Sequence, residues 1–320
     1  MLYIAKLVPR KGEGMKKGVK IVLIVLAMLL VVIVALLAVF GWYLPHYWAD
    51  NTVYDASQAP QQQQITVMSF NIRYYTPGDM FKKSWFYRAP LIIKTIADVQ
   101  PDVIGFQEVT QIHERYLRAH LQGYQFVVAY RNQSVLREGV MLAYRADRFE
   151  ELTQGMFWIS ETPEVESKDW GSAFPRVAVY ATLRDKVSGK SFTALDTHLD
   201  HISEEARGEG MRVLCEQGAA RGWQDTIMMG DMNDYVGTLQ YTYATTHGFV
   251  DALSVAANKY EGTGATYQGF GKYPDNARID YFYLSPTFAV QDYRVVDTLF
   301  DGVYASDHFG IVIKTTLHQE

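Results

Sequence analysis

From Ile65 onward, short runs of β-branched and aromatic residues alternate with stretches whose apolar positions recur at helical spacing. The first pattern buries the faces of strands and the second buries one face of a helix, so the region reads as an α/β domain. Strands are predicted over 65–71, 103–107, 125–130, 140–144, 177–185, 191–197, 226–229, 279–284 and 310–317, and helices over 89–99, 111–121 and 204–221. Ser188-Gly189 between two of these strands predicts a hairpin, which makes part of the sheet antiparallel.

Ahead of this domain, residues 21–43 form a run of 23 without a charge. At a rise of about 1.5 Å per residue it spans a hydrocarbon core of about 30 Å, which predicts one transmembrane helix. A cleaved signal peptide is the rival, but its apolar core is usually about 7–15 residues and ends in small residues. This run ends in Gly41-Trp42-Tyr43-Leu44-Pro45-His46-Tyr47-Trp48, whose aromatics suit a membrane interface. Lys6, Arg10, Lys11, Lys16, Lys17 and Lys20 precede it against Glu13 alone, and no Lys or Arg follows within a dozen residues. The positive-inside rule then predicts a single-pass protein of the cytoplasmic (inner) membrane, with its N-terminus inside and its large domain extracytoplasmic. Residues 44–64, with Ser57-Gln58-Ala59-Pro60 and four glutamines, lack apolar periodicity and read as a flexible linker. The expected organisation is a basic tail over 1–20, a membrane helix over 21–43, a linker over 44–64 and one domain over 65–320, without internal repeats.

At 48% hydrophobic and 20% charged residues, the chain has ample material for a core. Without the tail's six basic and one acidic residues, the formal net charge of −5 becomes −10, a field that repels long polyanions unless basic patches or bound cations reverse it locally. Cys215 is the sole cysteine, so no intrachain disulfide forms. Met211, Leu214 and Cys215 share one predicted helical face, which marks a buried structural thiol.

Polar residues gather just beyond the predicted strands. In Gly230-Asp231-Met232-Asn233, a carboxylate able to orient water sits beside a carboxamide able to hydrogen-bond a phosphoryl oxygen; the same residue types also close ordinary turns. Asp280 lies within the apolar run Ile279-Asp280-Tyr281-Phe282, where burial demands a partner. Arg278 offers a salt bridge, and His308 offers a histidine whose tautomer an Asp would fix. Asp307 and His308 are adjacent and face opposite sides of an extended backbone, so one can approach a metal while the other meets a phosphate. Glu108 ends the apolar run Val103-Ile104-Gly105-Phe106-Gln107 and, with a second carboxylate, suits Mg²⁺. His198 and His201 flank Asp200, but further ligands with zinc spacing are absent.

Ser69-Phe70-Asn71-Ile72-Arg73, Gly105-Phe106-Gln107-Glu108-Val109, Thr197-His198-Leu199-Asp200-His201, Gly230-Asp231-Met232-Asn233, Arg278-Ile279-Asp280-Tyr281 and Ser306-Asp307-His308 follow one another in that order. Together they resemble the motifs of the endonuclease/exonuclease/phosphatase superfamily, over nearly all of 65–318. The resemblance implies a four-layer α/β sandwich of two mixed β-sheets flanked by helices. It implies Glu108 as principal Mg²⁺ ligand, with Mn²⁺ as an alternative ion and with Asn71 and Asp307 near the metal. Asp231 would orient the attacking water, Asn233 would contact phosphate, and His308 paired with Asp280 would be the catalytic histidine. His198 would touch the phosphate or assist the leaving group. Arg73 stands where abasic-site endonucleases carry an Asp, which matches the deoxyribonuclease-like pattern. Arg176 resembles a phosphate-reaching arginine of that branch, its bland alternative being a surface ion pair.

Hydrolysis of a phosphate ester by metal-activated water follows from this resemblance, with a nuclease or other phosphodiesterase as the leading expectation. A phospholipid or sphingomyelin phosphodiesterase, or a phosphoinositide-type phosphatase at the membrane, is the alternative, although no basic amphipathic helix is evident for seating on a bilayer. A non-catalytic membrane-anchored module is the reading from a different class, and no obligate protein partner is evident. Trp158, Trp170, Tyr267 and Phe270 fall in predicted loops as candidate stacking or lipid-facing residues, or as ordinary partly buried aromatics.

Overall fold

The structure is a computed structural model that describes residues 11–49, 51–134, 137–260, 264–273 and 278–317. Residues 1–10 of the expected basic tail and 318–320 of the expected domain lie outside the described residues. The chain divides into two compact units, Met1–Asp50 and Asn51–Glu320.

The first unit contains α1 (Lys11–Ala49), which runs past both ends of the expected 21–43 span. Its window Lys16–Ala38 covers 23 residues with mean hydropathy 3.6 and no buried residue, long and apolar enough to cross a membrane or to act as a signal sequence.

The second unit runs β1 (Tyr54–Asp55), β2 (Ile65–Asn71), α2 (Trp85–Val99), β3 (Val103–Thr110), α3 (Gln111–His120), β4 (Leu121–Gln122), β5 (Tyr124–Tyr130), β6 (Glu138–Arg145), β7 (Phe149–Trp158), β8 (Val177–Asp185) and β9 (Ser191–His198). It continues with α4 (Glu204–Ala220), β10 (Thr226–Asp231), α5 (Leu239–Thr246), β11 (Val250–Asp251), α6 (Ala252–Val255), β12 (Asn258–Lys259), β13 (Asp280–Leu284), β14 (Phe288–Val296) and β15 (Gly310–Leu317). Two mixed sheets result, in the orders β12-β14-β15-β2-β3-β6-β5 and β11-β13-β10-β9-β8-β7. Val67, Val103, Leu142, Val179, Ala194, Ile227, Phe282 and Ile313 fill the space between them. Outside the six-stranded sheet, Met211 and Leu214 of α4 pack with Leu195, Met228 and Tyr281. Strand β2 is buried along its whole length, and α2 and α3 flank its sheet, joined through Trp85, His113 and Tyr116. The four-layer α/β sandwich expected from the motifs is thus the observed architecture.

Three expectations change. The linker is not free: within 44–64, β1 pairs in parallel with β4, Asp55 caps the turn at Ser57, and Ala56 and Ala59 are buried. A few small residues anchor this segment, too few to register as periodicity. Strands β7 and β14 went unpredicted because their polar residues, Glu150, Glu151, Thr153 and Gln154 in one and Gln291, Asp292 and Arg294 in the other, break the apolar runs near the sheet edges. Trp158 ends β7 and packs against the core instead of standing in a loop. The Ser188-Gly189 hairpin forms as expected between β8 and β9, with Gly189 at φ 74°. Cys215 is half-buried beside buried Met211 and Leu214, and burial pushes its thiol up to about 12.

Candidate active site

The topology brings all six motifs to one end of the two sheets. Strands β2 and β3 are parallel, as are β9 and β10, so Asn71, Glu108, His198 and Asp231 lie at neighbouring C-terminal ends. Antiparallel β13 places Asp280 opposite Asp231 in register. Antiparallel β15 begins just after Asp307 and His308, against the end of β2.

Local backbone then aims the groups. A bulge between Phe106 and Val109 sets Glu108 at φ 62°, an uncommon conformation for a non-glycine residue. Gly230 sits at φ 146°, and a Cβ there would meet the Thr197 carbonyl oxygen at 1.9 Å, so the approach of β10 to β9 needs glycine. Beyond it, the Asn233 N–H donates to Asp231 Oδ1 at 2.9 Å, which fixes the carboxylate.

Asn71 is the hub. Its Nδ2 donates to Asp231 Oδ2 at 3.0 Å and Glu108 Oε1 at 3.1 Å, and stands 3.4 Å from His308 Nε2. Its Oδ1 accepts from the Arg73 N–H at 3.0 Å. In this arrangement Asn71 turns its donors toward the acids and its oxygen toward the Arg73 N–H.

His308 Nδ1 lies 3.0 Å from Asp280 Oδ2, and its Nε2 lies 3.6 Å from Asp231 Oδ2. Burial alone would lower the imidazole, but the carboxylates of Asp280 and Asp231 outweigh it and raise it to about 10. Burial and the neighbouring Asp280 push Asp231 up to about 7, against the pull of His308. Arg278 pairs with Asp251 at 2.6 Å, so it is not the partner of Asp280. His198 is held well below its usual range by burial and by Arg176 and Arg131. Its neutral Nε2 accepts from Asn233 Nδ2 at 2.9 Å and stands 3.5 Å from Asp231 Oδ2. The second Asn233 donor goes to the Leu199 carbonyl, so this amide steadies His198 against the start of the following loop. Arg176 is 5% exposed and contacts His201 Nδ1 at 3.0 Å and Asp200 at 3.5 Å, which replaces the surface ion pair with a buried one.

Arg73, Glu108, Arg131, Glu138, Arg176, His198, Asp231, Asn233, Asp307 and His308 all line one cavity of about 480 Å³. A cavity of about 520 Å³ elsewhere, lined by Thr66, Asp98, Arg294 and Lys314, contains none of the motif residues.

Glu108 and Asp307 line the cavity with carboxylates, whose oxygens suit a hard divalent cation. Burial raises the Asp307 carboxyl above its usual range, against the pull of His308 and helped by Glu108. Arg73, 3.4 Å from Asp307, only partly offsets them. Asp231, Asp280 and His308 also offer ligand atoms within 4.8 Å of one another. His308 stands between the two carboxylates, 3.0 Å from Asp280 Oδ2 and 3.6 Å from Asp231 Oδ2.

Two contributors escaped the sequence, and one of the candidate loop aromatics reaches the site. Glu138 opens β6 in the cavity wall, 3.0 Å from Arg131, and burial followed by Glu108 pushes it up to about 7. Arg88, fully buried in α2, donates to the carbonyls of Ile72 and Ala305 and so ties the loop after Asn71 to the one before Asp307. Tyr267 lines the cavity with its ring 5.0 Å from that of His308.

The sequence pattern of the endonuclease/exonuclease/phosphatase family matches residues 68–308. This chain belongs to that family. Its members are phosphoester hydrolases that generally use divalent metals. An endonuclease/exonuclease/phosphatase protein of Bacteroides vulgatus is 29% identical, with a TM-score of 0.75 over 80% of this chain and 100% of that one. A mannosyl-6-phosphatase of Bacteroides thetaiotaomicron VPI-5482 is 27% identical, with a TM-score of 0.73 over 79% of this chain and 100% of that one. An uncharacterized protein of Acanthamoeba polyphaga mimivirus, L388, is 26% identical over 72% of this chain and 91% of its own length.

Proposed function

We propose that this family member hydrolyses a phosphate ester on a compact polar group, using a divalent cation, Mg²⁺ or Mn²⁺, seated at Glu108 and Asp307. The observation that carries the chemistry is Asp231 Oδ2, held by the Asn71 amide and within 3.6 Å of both His198 and His308 at the cavity wall. When bound, the cation neutralises phosphoryl oxygen charge. Ionised Asp231 accepts the proton of the attacking water, while protonated His308, steadied by Asp280, donates to a phosphoryl oxygen. Buried Arg176 adds fixed positive charge, and neutral His198 flanks the leaving-group side.

Size supports the compact substrate. A cavity of about 480 Å³ holds a headgroup or a sugar phosphate more readily than a duplex, and the net charge of −10 beyond the tail opposes long polyanions. The likeness to a mannosyl-6-phosphatase points the same way. One observation favours the nuclease reading instead. Arg73 stacks on Tyr74 at 4.7 Å and Arg131 on Phe174 at 4.4 Å, a cation–aromatic pair on two walls of the cavity that would suit a nucleic-acid strand.

Residues 51–320 assayed with sugar phosphates, lipid headgroup phosphates, oligonucleotides and a chromogenic phosphodiester decide between these readings. Turnover that requires Mg²⁺ or Mn²⁺ and disappears in Asp231→Ala is expected; no turnover, or an equally active variant, sinks the catalytic reading. Preference for oligonucleotides over all compact substrates selects the nuclease. For topology we propose that α1 is a membrane anchor with the N-terminus inside. Protease added outside spheroplasts then removes the domain, whereas protection until the membrane is opened reverses the orientation.

A further inference from the structure

Large apolar side chains stand exposed on loops that also carry cavity-lining residues, among them Arg73, His201 and Asn233. Met80 and Phe81, on the loop after Asn71, are 61% and 64% exposed; Ile202, next to cavity-lining His201, is 67% exposed; Val236, three residues past Asn233, is 61% exposed. Single exposed apolar residues are ordinary, but their recurrence on loops around one opening marks an interaction surface. Phe81 also adopts φ 56°, a conformation that a bulky residue rarely takes, within the turn Phe81–Lys83.

Cations accompany these residues. Lys82 and Lys83 follow Phe81 directly, and Lys83 Nζ lies 5.3 Å from the Phe270 ring, which brings this turn beside the loop carrying Lys272. Tyr267, five residues before Lys272, stands in the cavity wall. Apolar tips with lysines just behind them match a bilayer whose hydrocarbon edge is covered by anionic headgroups. Because the chain beyond its tail carries a net charge of −10, an anionic surface repels the domain except where lysines lead. The same chain carries an apolar window of membrane-spanning length, with only residues 39–50 between it and the domain.

We propose that the cavity rim, led by Met80, Phe81, Lys82 and Lys83, docks on an anionic lipid bilayer and turns the catalytic cavity toward the headgroups. The docking does not depend on the phosphoesterase reading; only its consequence, direct access to headgroup phosphates, rests on that reading.

The test uses residues 51–320, a unit with its own core whose Bacteroides vulgatus counterpart is matched along 100% of its length by 80% of this chain. Sedimentation with phosphatidylcholine vesicles is compared with and without phosphatidylglycerol. Binding to the anionic vesicles is expected, falling about tenfold or more in Met80→Ser/Phe81→Ser and in Lys82→Glu/Lys83→Glu. Leu152→Ser, an exposed apolar residue on edge strand β7, leaves it unchanged. Near-ultraviolet circular dichroism confirms that each variant is folded. No sedimentation with anionic vesicles overturns the proposal, as does equal sedimentation of the folded rim variants or a loss in Leu152→Ser as large as theirs. Activity on soluble substrates is measured in parallel, so a catalytically inert domain that still binds vesicles refutes only the proposed function.

Discussion

His308 Nδ1 stands 3.0 Å from Asp280 Oδ2, a contact between the residue that opens β13 and one that precedes β15, in different sheets. The pair spans the sandwich at the end where the motifs converge. It keeps the imidazole protonated despite complete burial, so His308 presents a positive Nε2 toward Asp231 and the cavity.

Replacing Asp280 with Asn therefore removes the charge that holds the proton on His308. The side chain keeps its shape, but burial then governs the imidazole and lowers its pKa. In the wild type, kcat/KM falls at high pH as His308 deprotonates near 10; in Asp280→Asn the descending limb moves to lower pH, and kcat drops by roughly 10²–10⁴-fold. A pH–rate profile of the variant with an unmoved limb excludes His308 as the acidic partner.

Asn71→Ala acts on the opposite limb. The Asn71 donor stabilises ionised Asp231, so its loss leaves the carboxyl easier to protonate and raises the pH needed for activity. The ascending limb, at or below about 7 in the wild type, moves upward, with kcat lower by about 10²–10³-fold. An unchanged limb with unchanged kcat contradicts the hub role.

Much of this centre was legible because catalytic groups follow apolar strands, and that polarity break is visible in one dimension. Asn71, Glu108, His198 and Asp231 were found that way. Glu138 opens a strand instead of closing one, and so escaped the same signal. Arg88 reads as one more helical arginine; its carbonyl partners lie 16 and 217 residues away, and only the fold brings them together. Side-chain direction was equally hidden. Nothing in Ser69-Phe70-Asn71 tells whether the amide offers its oxygen to a cation or its hydrogens to Glu108 and Asp231. In the same way, Asp55 and Ala56 hold the supposed linker through contacts too local to form a period.

Chelation with EDTA should abolish turnover, and Mg²⁺ or Mn²⁺ should restore it. Glu108→Gln keeps acceptor geometry but halves the carboxylate charge of the proposed seat, so the metal concentration for half-maximal rate rises about 10–100-fold. Calorimetric titration with Mn²⁺ checks the same change without turnover. Equal metal affinity in the variant moves the seat away from Glu108.

Asp196 offers a test of the core beneath the site. It is fully buried, its Oδ1 lies 2.5 Å from Gln107 Nε2, and its Oδ2 has no partner among the described residues. Burial holds its carboxyl well above the usual range, against the hydrogen bond from Gln107. Between about 3.9, where the unfolded side chain titrates, and that raised value, the folded protein keeps a proton that the unfolded chain has lost. Stability from this group is therefore complete in acid and declines as pH rises, by at most about 1.4 kcal/mol per pH unit. Asp196→Asn cannot lose a proton and keeps the amide contact across the sheets. Denaturant melts should show the variant gaining on the wild type as pH rises above about 4. Activity should stay close to wild type, because Asp196 is not among the residues that line the cavity. A variant that is instead less stable at neutral pH than in acid, relative to wild type, requires an ionised Asp196 and overturns this assignment.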